Sequence, residues 1–206
     1  MVAPGGHLIL RLDVTGQPIR WIPWQQAVVL QAREMIAWYA GEHAFTYNGG
    51  ISRITGARSQ VTVNSIIAVK GRPRHAVLDN QVPPLSNREL FLRDAHMCLY
   101  CGKQFTSQHL TRDHLQPLSR GGMDRWSNVV AACKFCNHAK GARTPEEANM
   151  ALLAVPYEPN RAEYLVLSNR SILGDQMEFL KKRFRRSSRL RFGGSIVRPP
   201  EQPRLQ

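Results

Sequence analysis

The sequence predicts an α+β fold: a small N-terminal α+β unit, then a segment pinned by cysteines and flanked by helices. Three observations carry this expectation. Two early stretches, LILRLDV at 8–14 and VTVNSIIAV at 61–69, are apolar and β-branched, the composition of strands. Between them, WQQAVVLQAREMIAWYAG at 24–41 places Val28, Met35, Ile36 and Tyr39 near one stripe at helical spacing, with Gly41 as a stop. The 4 cysteines of the chain fall into two CxxC pairs, Cys98 with Cys101 and Cys133 with Cys136.

No repeat is visible, and the remaining elements follow in order. Residues 71–86, with Gly71, Pro73, Pro83 and Pro84, read as a connector rich in breakers. Ser86-Asn-Arg-Glu89 has the form of a capping box and opens a short helix through about Ala95. LTRDH at 110–114 reads as a short strand, broken by Pro117 and by Gly121 with Gly122. Thr144-Pro145-Glu146-Glu147 joins an N-cap, a proline at N1 and acids in the first turn, predicting a helix to about Ala154. Asp175 is placed to cap another helix, with Met177, Leu180 and Phe184 on one face. The implied divisions are 1–85, the N-terminal unit; 86–155, the cysteine-bearing domain; 156–184, a helical extension; and 185–206, a basic tail expected to be disordered.

A chain of 206 residues, 43% hydrophobic, is long enough for one large domain or two small ones with a genuine core. Its 28 Lys and Arg against 15 Asp and Glu give a formal net charge of +13. That balance favours a polyanionic partner, nucleic acid first and an acidic membrane surface second. Lys181, Lys182, Arg183, Arg185 and Arg186 form a dense basic run, either a phosphate-binding arm or a solvated tail. The opening MVAPGGHLILRLD lacks the basic region of a signal peptide, and no apolar run approaches the roughly 18 residues of a membrane span. A soluble, cytoplasmic protein is expected, in a compartment where disulfides are rare.

The cysteines then need another explanation. Each CxxC pair makes a tight knuckle, and four thiolates converging on one tetrahedral ion suit Zn²⁺ in a closed, structural site. Gly102 allows the first knuckle its turn. The alternatives are a redox motif, which needs only one CxxC, and buried unliganded cysteines. A zinc staple would close residues 102–132 into a loop that carries Asp113 and His114 in its middle. Neighbours in a strand point to opposite faces, so both reach one ligand only where the strand ends or twists.

The pattern Cys98-x-x-Cys101-Gly, Leu-Thr-Arg-Asp-His114, Pro-Leu-Ser-Arg-Gly-Gly, Trp-Ser-Asn128 and Cys133-x-x-Cys136-Asn137-x-x-Lys140-Gly resembles the HNH endonucleases of the zinc-stapled, McrA-like type. The resemblance runs from about residue 93 to 150, and extends more loosely through TPEEA at 144–148. The LDVTGQPI opening is similar to the leader of many small bacterial HNH proteins. The resemblance implies a ββα-metal finger and a metal-dependent endonuclease. It puts the general base on His114, a structural asparagine on Asn128 and the third family position on Asn137, here asparagine rather than histidine. The metal-binding residue before the base falls on Asp113. Where some members, bacterial toxin nucleases among them, carry a further metal histidine, this chain has Gly141. Asp113 and Asn137 with several waters then suit Mg²⁺ or Mn²⁺, an ion distinct from the structural Zn²⁺.

On this reading His114 takes a proton from water while the ion relieves charge on the phosphoryl and departing oxygens. Asn128 supports the loop, and Arg120 and Lys140 are candidates for phosphate contact. His96, His109 and His138 lie outside the family positions. Specificity would come from the N-terminal unit, through Arg53, Arg58, Arg72 and Arg74, with Trp21, Trp24 and Trp38 either a base-stacking surface or core. The expected substrate is DNA, although the motif also allows RNA. A single finger nicks one strand, so a double-strand break needs a dimer or two events. The second reading is a non-catalytic, zinc-stabilised nucleic-acid-binding protein. It explains the charge and the cysteines but not Asp113, His114, Asn128 and Asn137 together.

Overall fold

The computed structural model describes residues 7–73, 81–186 and 188–192. In chain order the elements are β1 (Ile9–Leu12), β2 (Pro18–Ile22), α1 (Trp24–Ala32), β3 (Ile36–Ile51), β4 (Arg58–Val69), α2 (Asn87–Arg93), β5 (Leu110–His114), β6 (Val129–Cys133), α3 (Lys134–Lys140), α4 (Arg161–Ser168) and α5 (Gly174–Lys181). The fold is α+β, as expected, with a four-stranded and a two-stranded sheet. Two compact units share the chain: Met1–Val82 with Asn160–Phe184, and Pro83–Pro159 with Arg185–Gln206.

The first unit is a sheet of order β2-β1-β4-β3, with β1 and β4 parallel and the other pairs antiparallel. The β1–β2 turn is tied by Asp13, whose Oδ1 accepts from Thr15 N, Thr15 Oγ1 and Gln17 N at 2.7–3.0 Å. Ile9, Ile22, Ala27, Phe45, Val63 and Ile67 close the core.

The expected helix over 24–41 ends early, at Ala32. Glu34, at φ 55°, closes it: Glu34 N donates to Gln31 O and Met35 N to Leu30 O, both at 2.9 Å, the two bonds of a Schellman motif. From Ile36 the chain is β3, and burial alternates strictly through Ala40. The apolar stripe fitted both periods locally. The β-branched partner strand decided between them, pairing Ile36 with Val69 and Tyr39 with Ile67. Asp175 also differs from its expected role, because Leu173 is the N-cap of α5. The Asp175 carboxylate instead accepts from Ser65 Oγ at 2.5 Å, Glu42 N at 3.0 Å and His43 N at 3.2 Å. A capping box that was not anticipated opens α4, where Asn160 and Glu163 exchange bonds at 2.7 and 2.9 Å.

In the second unit α2 precedes the β5–β6 hairpin, and β6 runs directly into α3, giving a ββα finger. The helix at 87 forms as expected, but its capping box does not: the Ser86 hydroxyl donates to the Glu89 carboxylate rather than accepting from the helix. The predicted helix from Thr144 is a turn. Its box is made, with Thr144 N on Glu147 Oε2 at 3.0 Å and Glu147 N on Thr144 Oγ1 at 3.3 Å. Asn149 then turns to φ 53°, Met150 N closes onto Pro145 O, and Leu153 N is drawn to Leu99 O at 2.9 Å. Tertiary pairing with the first cysteine knuckle ends the helix after one turn.

Arg93, fully buried, holds this unit together. Its Nε and Nη2 fork onto Asp94 at 2.9 and 3.0 Å, and its other donors reach the carbonyls of Trp126, Val129 and Tyr157. Asp94 in turn accepts from Ala131 N at 2.9 Å and from Arg189 Nη2 at 2.5 Å. Part of the basic tail is therefore packed rather than disordered: Ser188 and Arg189 are buried, and Arg189 lies 5.2 Å from the Tyr157 ring centroid. The rest of the tail, 193–206, lies outside the described residues.

Candidate functional site

The cysteine cluster is built by two turns and a strand end. Gly102 N donates to Cys98 O and Cys98 N to Lys103 O, each at 2.9 Å, closing the first knuckle. Gly102 sits at φ 74°, and a Cβ there would meet Leu153 Cδ1 at 3.2 Å. Pairing of Leu110 with Cys133 brings the second knuckle alongside. Cys133 is the N-cap of α3, its Sγ accepting from Cys136 N at 3.4 Å. The four Sγ atoms lie within 4.8 Å of one another. That spacing suits one tetrahedral ion with Zn–S bonds of about 2.3 Å, so the cluster is compatible with structural zinc. Burial pushes the Cys136 and Cys101 thiols up, and the adjoining sulfurs add to this at Cys136. A divalent ion held by the four sulfurs would instead favour the thiolate forms.

Between the knuckles, β5 alternates its side chains. Thr111 and Asp113 face α3. Asn137 Nδ2 donates to Thr111 Oγ1 at 2.9 Å, which leaves Asn137 Oδ1 as the free end of that amide. Asp113 is 3% exposed, and its two oxygens meet Tyr100 Oη at 2.5 Å and Lys140 Nζ at 3.1 Å. Burial, and then Asp113 itself, raises the Tyr100 phenol well above its ordinary value, so it stays a donor.

Arg112 and His114 share the other face and meet one residue that sequence reasoning missed, Asp124. His114 Nε2 lies 2.8 Å from Asp124 Oδ1, and Arg112 Nη1 lies 2.5 Å from Oδ2. Slight burial opposes ionisation of Asp124, but Arg112 and then His114 hold it below the usual carboxylate range. The only signal for it in the sequence is an acid in the loop after PLSRGG, at no spacing that a motif specifies.

Asn128 fastens the loop between β5 and β6. Its Oδ1 accepts from Gln116 N at 2.9 Å, and its Nδ2 donates to Gln116 O and Met123 O at 3.1 and 2.8 Å. Gly122 makes this possible, because a Cβ there would fall 1.9 Å from Gln116 O. At the end of β5 the faces converge on a groove lined by Arg112, Asp113, His114, Leu118, Asn137 and Lys140.

The other expected contact residues fall in varied places. Lys140 is 1% exposed and turned inward, with Arg143 O at 2.9 Å as well as Asp113. Arg120 pairs with Glu147 at 2.6 Å, both about half-exposed. Lys181, Lys182, Arg185 and Arg186 are exposed, with Lys182 on Glu178 at 3.0 Å. Arg183 donates to Gly16 O at 2.9 Å and lies over Phe179. Arg53, Arg58 and Arg72 are exposed, and Arg74 lies outside the described residues. The tryptophans pack: Trp21 on Leu165 O, Trp38 on Val14 O, and Trp24 stacked on Tyr47 at 4.1 Å. His109 and His138 are exposed, and His96 is half-buried.

No described helix is long and apolar enough to cross a membrane. No curated protein matches the chain. The family model for HNH endonucleases matches residues 98–153, an interval that begins at the first knuckle and includes His114, Asn128, Asn137 and the whole ββα finger. The segment from Cys98 to Leu153 thus matches the HNH endonuclease family, which supports a nuclease-type domain in this part of the chain.

Proposed function

We propose that this chain is a metal-dependent endonuclease that hydrolyses DNA phosphodiester bonds, with His114 as general base and Asp113 and Asn137 as ligands of a divalent ion. The observation that carries the reading is the groove itself: His114, Asp113 and Asn137 line one cleft of a ββα finger whose ends are drawn together by four cysteines. Those cysteines hold one structural zinc per chain on the same reading, which metal analysis of the purified protein checks.

An ionised carboxylate only accepts hydrogen bonds, so Asp124 selects the tautomer of His114 that carries its hydrogen on Nε2. Nδ1 is left as the acceptor for a proton from the attacking water. Asp124 is thus a positioning residue, and Arg112 keeps it in place and ionised. Asn137, its nitrogen tied to Thr111, presents an oxygen. One carboxylate and one amide oxygen are the donors a hard cation takes, so the pair fits Mg²⁺ or Mn²⁺. When bound, such an ion supplies charge stabilisation to the phosphoryl and leaving oxygens. Lys140 already partly neutralises Asp113, so its ammonium competes with the ion for Oδ1. Asn128 and Gly122 hold the loop after His114 in one conformation, which limits where the imidazole can go.

The test is supercoiled plasmid incubated with zinc-loaded protein in Mg²⁺, in Mn²⁺ and without a divalent ion. Nicking or linearisation that requires the added ion is the expected result. DNA retarded in a gel but never cut, in either metal, would favour the non-catalytic binding protein instead.

A further inference from the structure

The outer part of the β3–β4 hairpin does no work for the core of its unit. Beyond the Phe45–Val63 pair, residues 48–60 are exposed on both faces apart from half-buried Ser52. β1 pairs with β4 only at Ile66–Ala68, so β4 has a single neighbour along this stretch, β3. The result is a two-stranded ribbon reaching out by about five residues at roughly 3.3 Å each. Ribbons of this kind are marginal unless something stiffens them. Here Trp24 stacks on Tyr47 at the base, and Thr46 and Thr62 share a hydrogen bond of 3.0 Å. Higher up, Ser59 Oγ bonds Gly50 O at 3.2 Å, where a Cβ on Gly49 would strike Ser59.

The tip is fixed as well. Ser52 N donates to Ala57 O and Gly56 N to Ser52 O, both at 2.9 Å. The Ser52 hydroxyl accepts from Ile54 N and Thr55 N, and Thr55 Oγ1 accepts from Ala57 N. On this tied loop Ile54 is 96% exposed, and Ile51 beside it is 70% exposed. Single exposed apolar residues are ordinary. An isoleucine at the apex of a self-bonded loop, flanked by Arg53 and Arg58, is less so. Between Glu42 and Asp79 the chain holds no acid, and the ribbon's polar side chains are Thr, Ser, Asn and Gln. Arg53 has no partner among the described residues, and Arg58 uses only Nε, on Gly49 O at 3.3 Å.

We propose that this ribbon is a DNA-binding arm: Arg53 and Arg58 contact phosphates while Ile54 enters a groove and wedges against a base step. The choice of DNA rests on the proposed nuclease function; the arm itself rests on its shape, rigidity and charge. A two-stranded ribbon is narrow enough for a groove of duplex DNA, and apolar tips that unstack a step are a known means of gripping one.

The test uses the full chain without added divalent ion, a fluorescein-labelled 30-base-pair duplex, and a second duplex carrying 2-aminopurine. Loss of two phosphate contacts in Arg53→Gln/Arg58→Gln should reduce the slope of log K against log salt by about 2. Arg53→Lys/Arg58→Lys should restore it. Ile54→Ser should keep the slope but lose the rise in 2-aminopurine fluorescence that wild type produces. All these positions are exposed, so unchanged melting curves are expected and confirm folding. An unchanged slope and affinity in the glutamine variant, no DNA binding by wild type, or equal 2-aminopurine signals in wild type and Ile54→Ser would overturn the proposal. Wild type that binds through the arm yet never cuts plasmid in Mg²⁺ would overturn the nuclease reading and leave the arm standing.

Discussion

Ile9, Ile22, Val63 and Ile67 close the sheet of the first unit at 1% exposure or less, and the charges buried there, Asp13 and Glu163, serve a turn and a helix cap, whereas the second unit buries ion pairs. Arg93 lies against Asp94, Lys140 against Asp113, and four thiols share one corner. The difference decides how each unit fails. An apolar core weakens in proportion to the contacts removed. A buried pair or a metal cluster fails differently: when one member goes, the other is left without a partner in a site that water does not reach.

The largest effect should therefore follow loss of the cysteine cluster. Structural zinc sites contribute on the order of 10 kcal/mol or more to folding, so Cys133→Ser or strong chelation should unfold the finger. Hydrogen exchange would show it: protection lost over β5, β6 and α3 but kept over β1 and β4. Equal loss in both units would break the comparison. Next comes Arg93→Met, which strands Asp94 and should cost the second unit about 3–5 kcal/mol in chemical denaturation. A cost near zero would mean that Arg189 alone satisfies that carboxylate. In the first unit Ile67→Ala should cost about 2–5 kcal/mol, with the finger's transition unmoved.

The smallest effect is electrostatic. Burial opposes ionisation of Asp175, but Ser65 and the backbone N–H groups of His43 and Gln176 outweigh it and lower its pKa. A carboxylate lowered in the folded state stabilises above its ordinary pKa, and that contribution disappears as pH falls through the folded value. Asp175→Asn should flatten the acid limb of the first unit's stability curve. An unaltered limb would show that this cluster carries no linkage.

Legibility in the sequence divides along the same line. The finger could be read because its marker residues stand at fixed intervals: two CxxC pairs, Asp113 with His114, Asn128 and Asn137. What supports them was hidden. Arg93 looks like any arginine in a short helix, and Asp124 like any acid in a loop. Their partners, at Val129, Tyr157 and His114, become neighbours only on folding. In the first unit β1 and β4 were plain, but 36–41 suited helix and strand alike until the partner strand was known. At 144–154 the start signal was correct and the length was not, because the bond from Leu153 to Leu99 is a tertiary fact.

On the proposed function β5 divides the work between neighbours, Asp113 toward α3 and His114 toward the water side. Single-turnover cleavage of plasmid by wild type and His114→Ala, at equal Mg²⁺ and zinc content, tests it most directly. The expected result is a fall of roughly 10²–10⁴-fold in rate with DNA affinity unchanged, the range of a lost general base. Cleavage by His114→Ala at the wild-type rate would contradict it and place the base on another residue.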